Sequence, residues 1–336
     1  MMHPVARQAE VAGSNVLSDR RDREPLLSLV DVSLARNGHS VLDRVSFAIE
    51  RGETLGLVGE SGAGKSTIAL VAIGLLRPPA VTLDGRMQFA GHDDLLALPE
   101  SAWAGLRGRR IAMIFQDPAS ALNPCFTVGR QLAGPLRRLL GLDRAAARRR
   151  AIELLESVGL NDAEARLAAF PHELSGGMQQ RVMIAMALAC NPELLLADEP
   201  TSALDVTIQA QIMQLILQQV RARNASCIFV LHDLALASQV CDRIVVLYAG
   251  QVVEAGPTEI VLRRPLHPYT NALRACVIEL DTETLTPPDG GLPALGAMPP
   301  GCRFAPRCPS AKIACSLQTP PLRQLEGREI ACWHPG

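Results

Sequence analysis

Gly59-Glu60-Ser61-Gly62-Ala63-Gly64-Lys65-Ser66 decides the fold; it follows the apolar run Glu53–Gly59 (ETLGLVG) and opens the helical pattern Ser66–Leu76. It satisfies G-x-x-x-x-G-K-[ST] where that pattern has meaning, between a strand and a helix. The glycines let backbone N–H groups turn inward around phosphate oxygens, and the helix N-terminus adds partial positive charge. Lys65 can then bridge β- and γ-phosphates, while the Ser66 hydroxyl, followed by Thr67, can ligate Mg²⁺. A glycine-rich turn without a nucleotide is the bland alternative, and the strand–loop–helix context argues against it.

A second element agrees. Leu194-Leu195-Leu196-Ala197-Asp198-Glu199 is an apolar strand ending in two acids. Asp198 at the strand end can reach magnesium, and Glu199 can orient or deprotonate an attacking water. An apolar strand ending in Asp-Glu is common by itself; beside the phosphate loop it gains weight.

Around these motifs, Leu26–Glu50 alternates apolar and polar residues about a turn at Asn37–Gly38, which predicts antiparallel strands. The helix from Ser66 is expected to end at Pro78–Pro79. Residues 128–190 carry several helical patterns, and their Arg144–Arg150 run reads as a solvated helix face. Three buried strands are expected at Leu194–Ala197, Ser226–Leu231 and Arg243–Leu247. Short apolar strands alternating with helices indicate an α/β domain with a largely parallel sheet. Residues 286–300 are rich in Pro and Gly and read as a linker.

The chain has 336 residues, 33 Lys+Arg against 34 Asp+Glu, and a net charge of -1. That balance argues against an electrostatic nucleic-acid binder. It is 48% hydrophobic, enough for a core, yet its longest apolar runs, such as Val182–Cys190, fall well short of the ~20 residues needed to span a bilayer. Residues 1–25 are charged throughout and read as a polar arm rather than a secretory signal. A soluble, cytosolic chain with mostly reduced thiols is the expectation.

Between the loop and the acidic strand lies Leu174-Ser175-Gly176-Gly177-Met178-Gln179-Gln180, continuing as RVMIAMALA. Ser175 alone would be an ordinary helix N-cap. In this order, however, the stretch resembles the LSGGQ signature of ATP-binding-cassette (ABC) ATPases, with Met178 where the signature most often has Gln. Gln116 in MIFQDP resembles that family's Q-loop, Ser202-Ala203-Leu204-Asp205 its D-loop, and His232 in VLHDL its switch histidine. The resemblance implies a P-loop NTPase ABC cassette: an α/β, RecA-like core with an antiparallel β subdomain and a helical subdomain over about 117–180. It implies that Gly59, Ser61, Gly62, Gly64, Lys65, Ser66 and Thr67 hold ATP, that Ser66, Gln116 and Asp198 hold Mg²⁺, and that Glu199, His232 and Gln116 serve hydrolysis. Ser175, Gly177 and Asp205 would complete the site of a second cassette paired head-to-tail. Many relatives stack adenine on an aromatic upstream of the loop; this chain has no Phe, Tyr or Trp before Phe47, so stacking falls to a residue such as Arg36 or His39 or is absent, which implies loose base selectivity.

Over residues 26–336 the resemblance narrows. RGRRIAMIFQDPASALNP, LSGGMQQRVMIAMALACNPELLLADEPTSALDVTIQAQI and RRPLHPYTNAL are similar to the ATPase subunits of oligopeptide/dipeptide importers, and Leu266-His267-Pro268-Tyr269-Thr270 is the hallmark of that group's C-terminal extension. Related systems carry nickel or glutathione. The implied partners are a second ATPase subunit, often a paralogue, two permease subunits and an extracytoplasmic binding protein, with this chain peripheral on the cytoplasmic face of the inner membrane. The permeases would dock at the Gln116 loop and the helical insert. The implied organisation is an arm at 1–25, a cassette at 26–255 and an extension at 256–336. Soluble ABC ATPases acting on nucleic acid are a second class; they usually carry two cassettes, long coiled coils or paired zinc cysteines, none of which this sequence has. A redox- or metal-sensing regulator is a third.

Four of the nine cysteines, Cys302, Cys308, Cys315 and Cys332, share the extension in the spacing C-x5-C-x6-C-x16-C. Zinc sites favour closer pairs, and ferredoxin spacings also differ. Resemblance to relatives with this tail favours a [4Fe–4S] cluster, with zinc or four reduced thiols as the other readings. A Pro-rich tail with few large apolar residues would gain from a metal staple. Cys125, Cys190, Cys227, Cys241 and Cys276 read as core thiols.

Overall fold

The computed structural model describes residues 24–202, 205–276 and 290–336. Residues 1–23 of the expected arm, Ala203 and Leu204 of the D-loop stretch, and 286–289 of the expected linker lie outside the described residues.

The chain opens with β1 (Leu27–Arg36) and β2 (His39–Ile49), paired antiparallel through Asn37 and Gly38 at φ 52° and 78°. Two left-handed residues in succession make the two-residue turn that follows the twist of a hairpin, as alternation predicts. Next come β3 (Thr54–Val58), α1 (Lys65–Ala72), β4 (Thr82–Phe89), α2 (Glu100–Leu106) and β5 (Ile111–Ile114). A helical insert follows: α3 (Pro118–Ala121), α4 (Val128–Leu140), α5 (Arg144–Ser157), α6 (Ala163–Ala168) and α7 (Gly176–Ala187). The chain then alternates through β6 (Leu194–Asp198), α8 (Val206–Ala222), β7 (Ser226–Leu231), α9 (Leu234–Val240), β8 (Arg243–Tyr248) and β9 (Gln251–Pro257). Last are α10 (Thr258–Arg263), α11 (Pro268–Arg274), α12 (Ile313–Leu317), β10 (Arg323–Leu325) and β11 (Arg328–Ile330).

Two sheets form among the described residues: β2-β1-β4, and β10-β11-β9-β8-β3-β7-β6-β5. The run β8-β3-β7-β6-β5 is parallel, and β9 and β11 add antiparallel strands at one side. Both faces of the parallel run are covered, so its strands are apolar at successive positions. Leu57, Leu196, Val230 and Val245 point to a core shared with β1, β4 and α1, while Val58, Ala197, Phe229 and Val246 point to the core shared with α7, α8 and α9. In α5, Ala147, Ala151 and Leu154 are buried and Arg148 and Arg149 exposed, so the arginine run is a solvated face. No helix among the described residues is long and apolar enough to cross a membrane.

One helix boundary differs from expectation. Helix α1 stops at Ala72, before Leu76, because Gly74 turns left-handed at φ 69° with the Trp103 ring against it; a Cβ there would stand 2.6 Å from the indole. The division near residue 255 falls inside β9, and β11 pairs onto that strand at Ala255 and Glu254. The extension therefore continues the central sheet.

The joint is an ion pair in the interior. Arg328 of β11 donates to Glu254 of β9 at 3.1 Å, with both side chains almost fully buried. The backbone N–H groups of Leu266 and His267 also donate to the Glu254 carboxylate, each at 3.0 Å. Removing one member of such a pair strands the other charge away from water. Arg328→Ala should therefore cost about 3–5 kcal/mol and lower the thermal midpoint, as read by circular dichroism; an unchanged midpoint would refute the joint.

Candidate active site

The phosphate loop leaves the end of β3 in a conformation that only glycine permits at its first position. Gly59 sits at φ 150°, and a Cβ there would lie 2.3 Å from the Leu247 carbonyl oxygen. At the far end of the loop, Lys65 folds back: its Nζ donates to Gly59 O at 2.8 Å and Glu60 O at 3.0 Å, and lies 3.2 Å from His232 Nδ1. Burial pushes this ammonium down to about 8, while the nearby Glu199 and Asp198 carboxylates pull it up.

The parallel strands deliver the remaining groups beside it. Ser66 Oγ donates to Asp198 Oδ1 at 2.8 Å, joining the start of α1 to the end of β6. Burial raises the Asp198 carboxyl and the Ser66 hydrogen bond opposes that shift. Gln116 Nε2, after β5, donates to Glu199 Oε2 at 2.8 Å, and His232 Nε2, after β7, pairs with Glu199 Oε1. Glu199 takes a left-handed φ of 45°, a costly conformation for a residue with a side chain. Its N–H donates to Val230 O at 3.2 Å, which helps hold it there. Ser61, Gly62, Gly64, Lys65, Ser66, Thr67, Gln116, Glu199 and His232 thus line one cavity of about 610 Å³, within the usual range for small-molecule sites. Hydroxyl, carboxylate and amide oxygens at Ser66, Asp198 and Gln116 form the hard donor set that Mg²⁺ takes.

Other expected residues stand elsewhere. Ser175 caps α7, accepting from the Met178 N–H at 3.4 Å, and is exposed; a Cβ on Gly177 would meet open space. Asp205 is exposed at the start of α8. None of the three lines the cavity. Helix α7 is nonetheless tied to the acidic strand, because buried Gln180 donates to Pro200 O at 2.6 Å. Neither Arg36 nor His39 lines the cavity; Val41 does, with Leu292, Pro293, Ala294, Leu295 and Met298.

The second position of the phosphate loop carries contacts that the motif does not announce. The Glu60 N–H donates to Tyr269 Oη at 2.8 Å, and the Glu60 carboxylate receives two bonds from the Arg307 guanidinium, both 3.0 Å. Arg307 also reaches Tyr248 Oη at 3.3 Å. Tyr269 is set by the histidine before it: His267 Nδ1 accepts the Tyr269 N–H at 3.0 Å, and complete burial pushes that imidazole down to about 3, keeping it neutral. Tyr248 packs edge-on against both Tyr269 and Phe304 behind the pair, and those two rings are tilted against each other. HPYT signals the extension in sequence, but nothing there signals that its tyrosine reaches the loop.

Cys302, Cys308, Cys315 and Cys332 face one cavity of about 20 Å³ shared with His267 and Phe304. Burial raises the thiols of Cys302, Cys308 and Cys332. Among the described residues no three His, Cys, Asp or Glu side chains stand in a ready arrangement for an ion. Of the expected core thiols, Cys190, Cys227 and Cys241 are buried and Cys276 half-buried, but Cys125 is exposed. Its N–H donates to Asn123 Oδ1 at 2.9 Å in the turn before α4, which holds it at the surface.

Residues 42–202 match the family model described as ABC transporter, and residues 253–315 that described as oligopeptide/dipeptide transporter, C-terminal region. The chain is 45% identical to the dipeptide transport ATP-binding protein DppD of Escherichia coli (strain K12) over 297 residues, 88% of this chain and 90% of that protein. It is 44% identical to the oligopeptide transport ATP-binding protein AppD of Bacillus subtilis (strain 168), over 87% of this chain and 90% of that one. Among solved structures, the dimeric post-hydrolysis ATP-binding cassette MJ0796 bound to ADP and Pi aligns with a TM-score of 0.61 and 30% identity, covering 69% of this chain and 98% of that one.

The lowered Lys65 fixes a pH dependence. Below about pH 8 the ammonium is already charged and a polyphosphate binds without drawing protons to it. Above about 8 the free protein has lost that proton and bound phosphate restores it, so affinity falls by up to about tenfold per pH unit. Calorimetry of ATP binding at pH 9 in two buffers of different ionisation enthalpy should show uptake approaching one proton. Equal heats in both buffers would refute this.

Proposed function

The chain belongs to the ABC transporter family, among the dipeptide and oligopeptide transport ATP-binding proteins, and on that premise we propose that its ATP binding and hydrolysis power uptake of di- or oligopeptides across the cytoplasmic membrane. The observation that carries the reading is Glu199, held between Gln116 and His232 and facing Lys65 in one cavity.

In this reading the Gly59–Thr67 loop grips the triphosphate and Lys65 leaves its carbonyl partners for the phosphates. Ser66, Asp198 and Gln116 would hold Mg²⁺, which would neutralise charge on the phosphate oxygens. Glu199 orients and deprotonates the water, and His232, on the other carboxylate oxygen, positions Glu199. Ser175, Gly177 and Asp205 serve the site of a partner cassette: a helix start open to solvent is suited to meeting phosphate there. ATP then stabilises the closed pair and hydrolysis releases it, a population shift between two states.

The partner is a second ATPase subunit, in our reading a paralogue. Two permeases anchor the pair on the cytoplasmic face through the Gln116 loop and the helical insert, and an extracytoplasmic binding protein presents cargo. We divide the chain into an arm at 1–25, a cassette at 26–255 with its helical part at about 117–180, and an extension at 256–336. We assign the four extension cysteines to a [4Fe–4S] cluster on their thiol donor set; the cavity of about 20 Å³ that they line would have to widen to admit it.

Glu199→Gln should lower steady-state hydrolysis by about 10²–10⁴-fold and accumulate an ATP-bound dimer in gel filtration; undiminished turnover would overturn the role of Glu199. Anaerobically purified protein should contain about four iron and four sulfide per chain. A colourless protein with stoichiometric zinc would overturn the cluster.

A further inference from the structure

The phosphates have an evident place in the cavity, but among the described residues no Phe, Tyr or Trp lines it to meet the base. Val41, Ala249 and a strap from the extension line the cavity beyond the loop. A Cβ built on Gly62 would stand 3.3 Å from Leu292 Cδ1, so the strap lies directly against the phosphate loop. A Cβ on Gly296 would stand 3.3 Å from His39 Cε1, so the same strap also reaches the β1–β2 turn. Leu295 remains 50% exposed, an uncovered apolar side chain on a cavity wall.

The strap is held at its far end. The Cys302 N–H donates to Cys315 O at 2.7 Å, and Arg303 donates to Asp43 at 2.9 Å and to the Ala249 carbonyl. Asp43 belongs to β2, so the extension is fixed to both sheets around the cavity. An apolar wall fixed before ligand arrives gains affinity by avoiding ordering costs.

We propose that the strap around Leu292 and Leu295 is the base-binding wall of the nucleotide site, covering one face of the purine in place of an upstream aromatic. This deepens the ATP-binding reading given above and rests on it. The occupant is a purine ring because a cavity of about 610 Å³ leaves room beyond the triphosphate and the wall offers hydrocarbon to a flat, largely apolar surface. Leucine, proline and methionine side chains have no strong donor or acceptor with which to tell a 6-amino from a 6-oxo purine, so ATP and GTP are held alike.

The test uses equilibrium binding of ATP, GTP and inorganic tripolyphosphate to the full chain and to Leu295→Asn and Leu292→Asn, which remove apolar surface without adding charge beside the phosphates. Both variants should bind ATP and GTP about tenfold more weakly and tripolyphosphate unchanged. Tenfold corresponds to about 1.4 kcal/mol, the gain from covering roughly 55 Å² of apolar surface. Leu295→Asn alters an exposed side chain, so its thermal midpoint should match the parent and separate base contact from unfolding. Unchanged or tighter ATP binding in both variants would overturn the proposal, as would an equal loss for tripolyphosphate. A parent chain that binds neither ATP nor tripolyphosphate would instead overturn the phosphate-loop reading beneath it.

Discussion

A phosphate loop works only if its backbone is held open before phosphate arrives, and here the hold comes from Glu60. Its N–H is bonded to Tyr269 and its carboxylate to Arg307, two separate parts of the extension's sequence. The Glu60 carbonyl meanwhile shares the Lys65 ammonium with Gly59. One residue thus joins the loop, its lysine and the C-terminal segment. Paired carboxylate–guanidinium bonds of this kind are stronger and more directional than neutral ones, and the Arg307 side chain is only 8% exposed.

The sheet supplies the rest. Gly59, Asp198, Glu199 and His232 all lie at or just past the carboxyl ends of adjacent parallel strands, where open α/β sheets gather their ligand groups. That arrangement needs both faces of the sheet buried, which the two cores provide. It also tolerates strain: Glu199 keeps its left-handed backbone because the bond to Val230 and the pairs with Gln116 and His232 hold it there. The extension is part of this framework. It adds β11 to the sheet through Arg328 and Glu254, covers the loop through Tyr269 and Arg307, and closes the cavity through Leu292 and its neighbours.

Much of this was legible in the sequence because local rules and fold agree. The G-x-x-x-x-G-K-S run, the apolar strand ending in Asp198-Glu199 and the alternation of β1 and β2 each carry a periodicity or turn chemistry that survives in three dimensions. What could not be read were contacts between residues far apart in the chain. Glu60 occupies an unconstrained position of the motif and meets a partner 247 residues away. Helix α1 ends early because of an indole packed on Gly74, a tertiary fact. Cys125 looks like a core thiol by composition but sits in an Asn123 turn. Upstream of the loop the sequence offers Arg36 or His39 to adenine, whereas the apolar wall of the cavity comes from the C-terminal part of the chain.

The Glu60–Arg307 pair makes the extension and the phosphate loop one unit. A double-mutant cycle on ATP affinity with Glu60→Gln, Arg307→Gln and the double variant tests it most directly. Each single change should weaken ATP binding, and the double variant should be no weaker than the worse single one. Losses that simply add would contradict it.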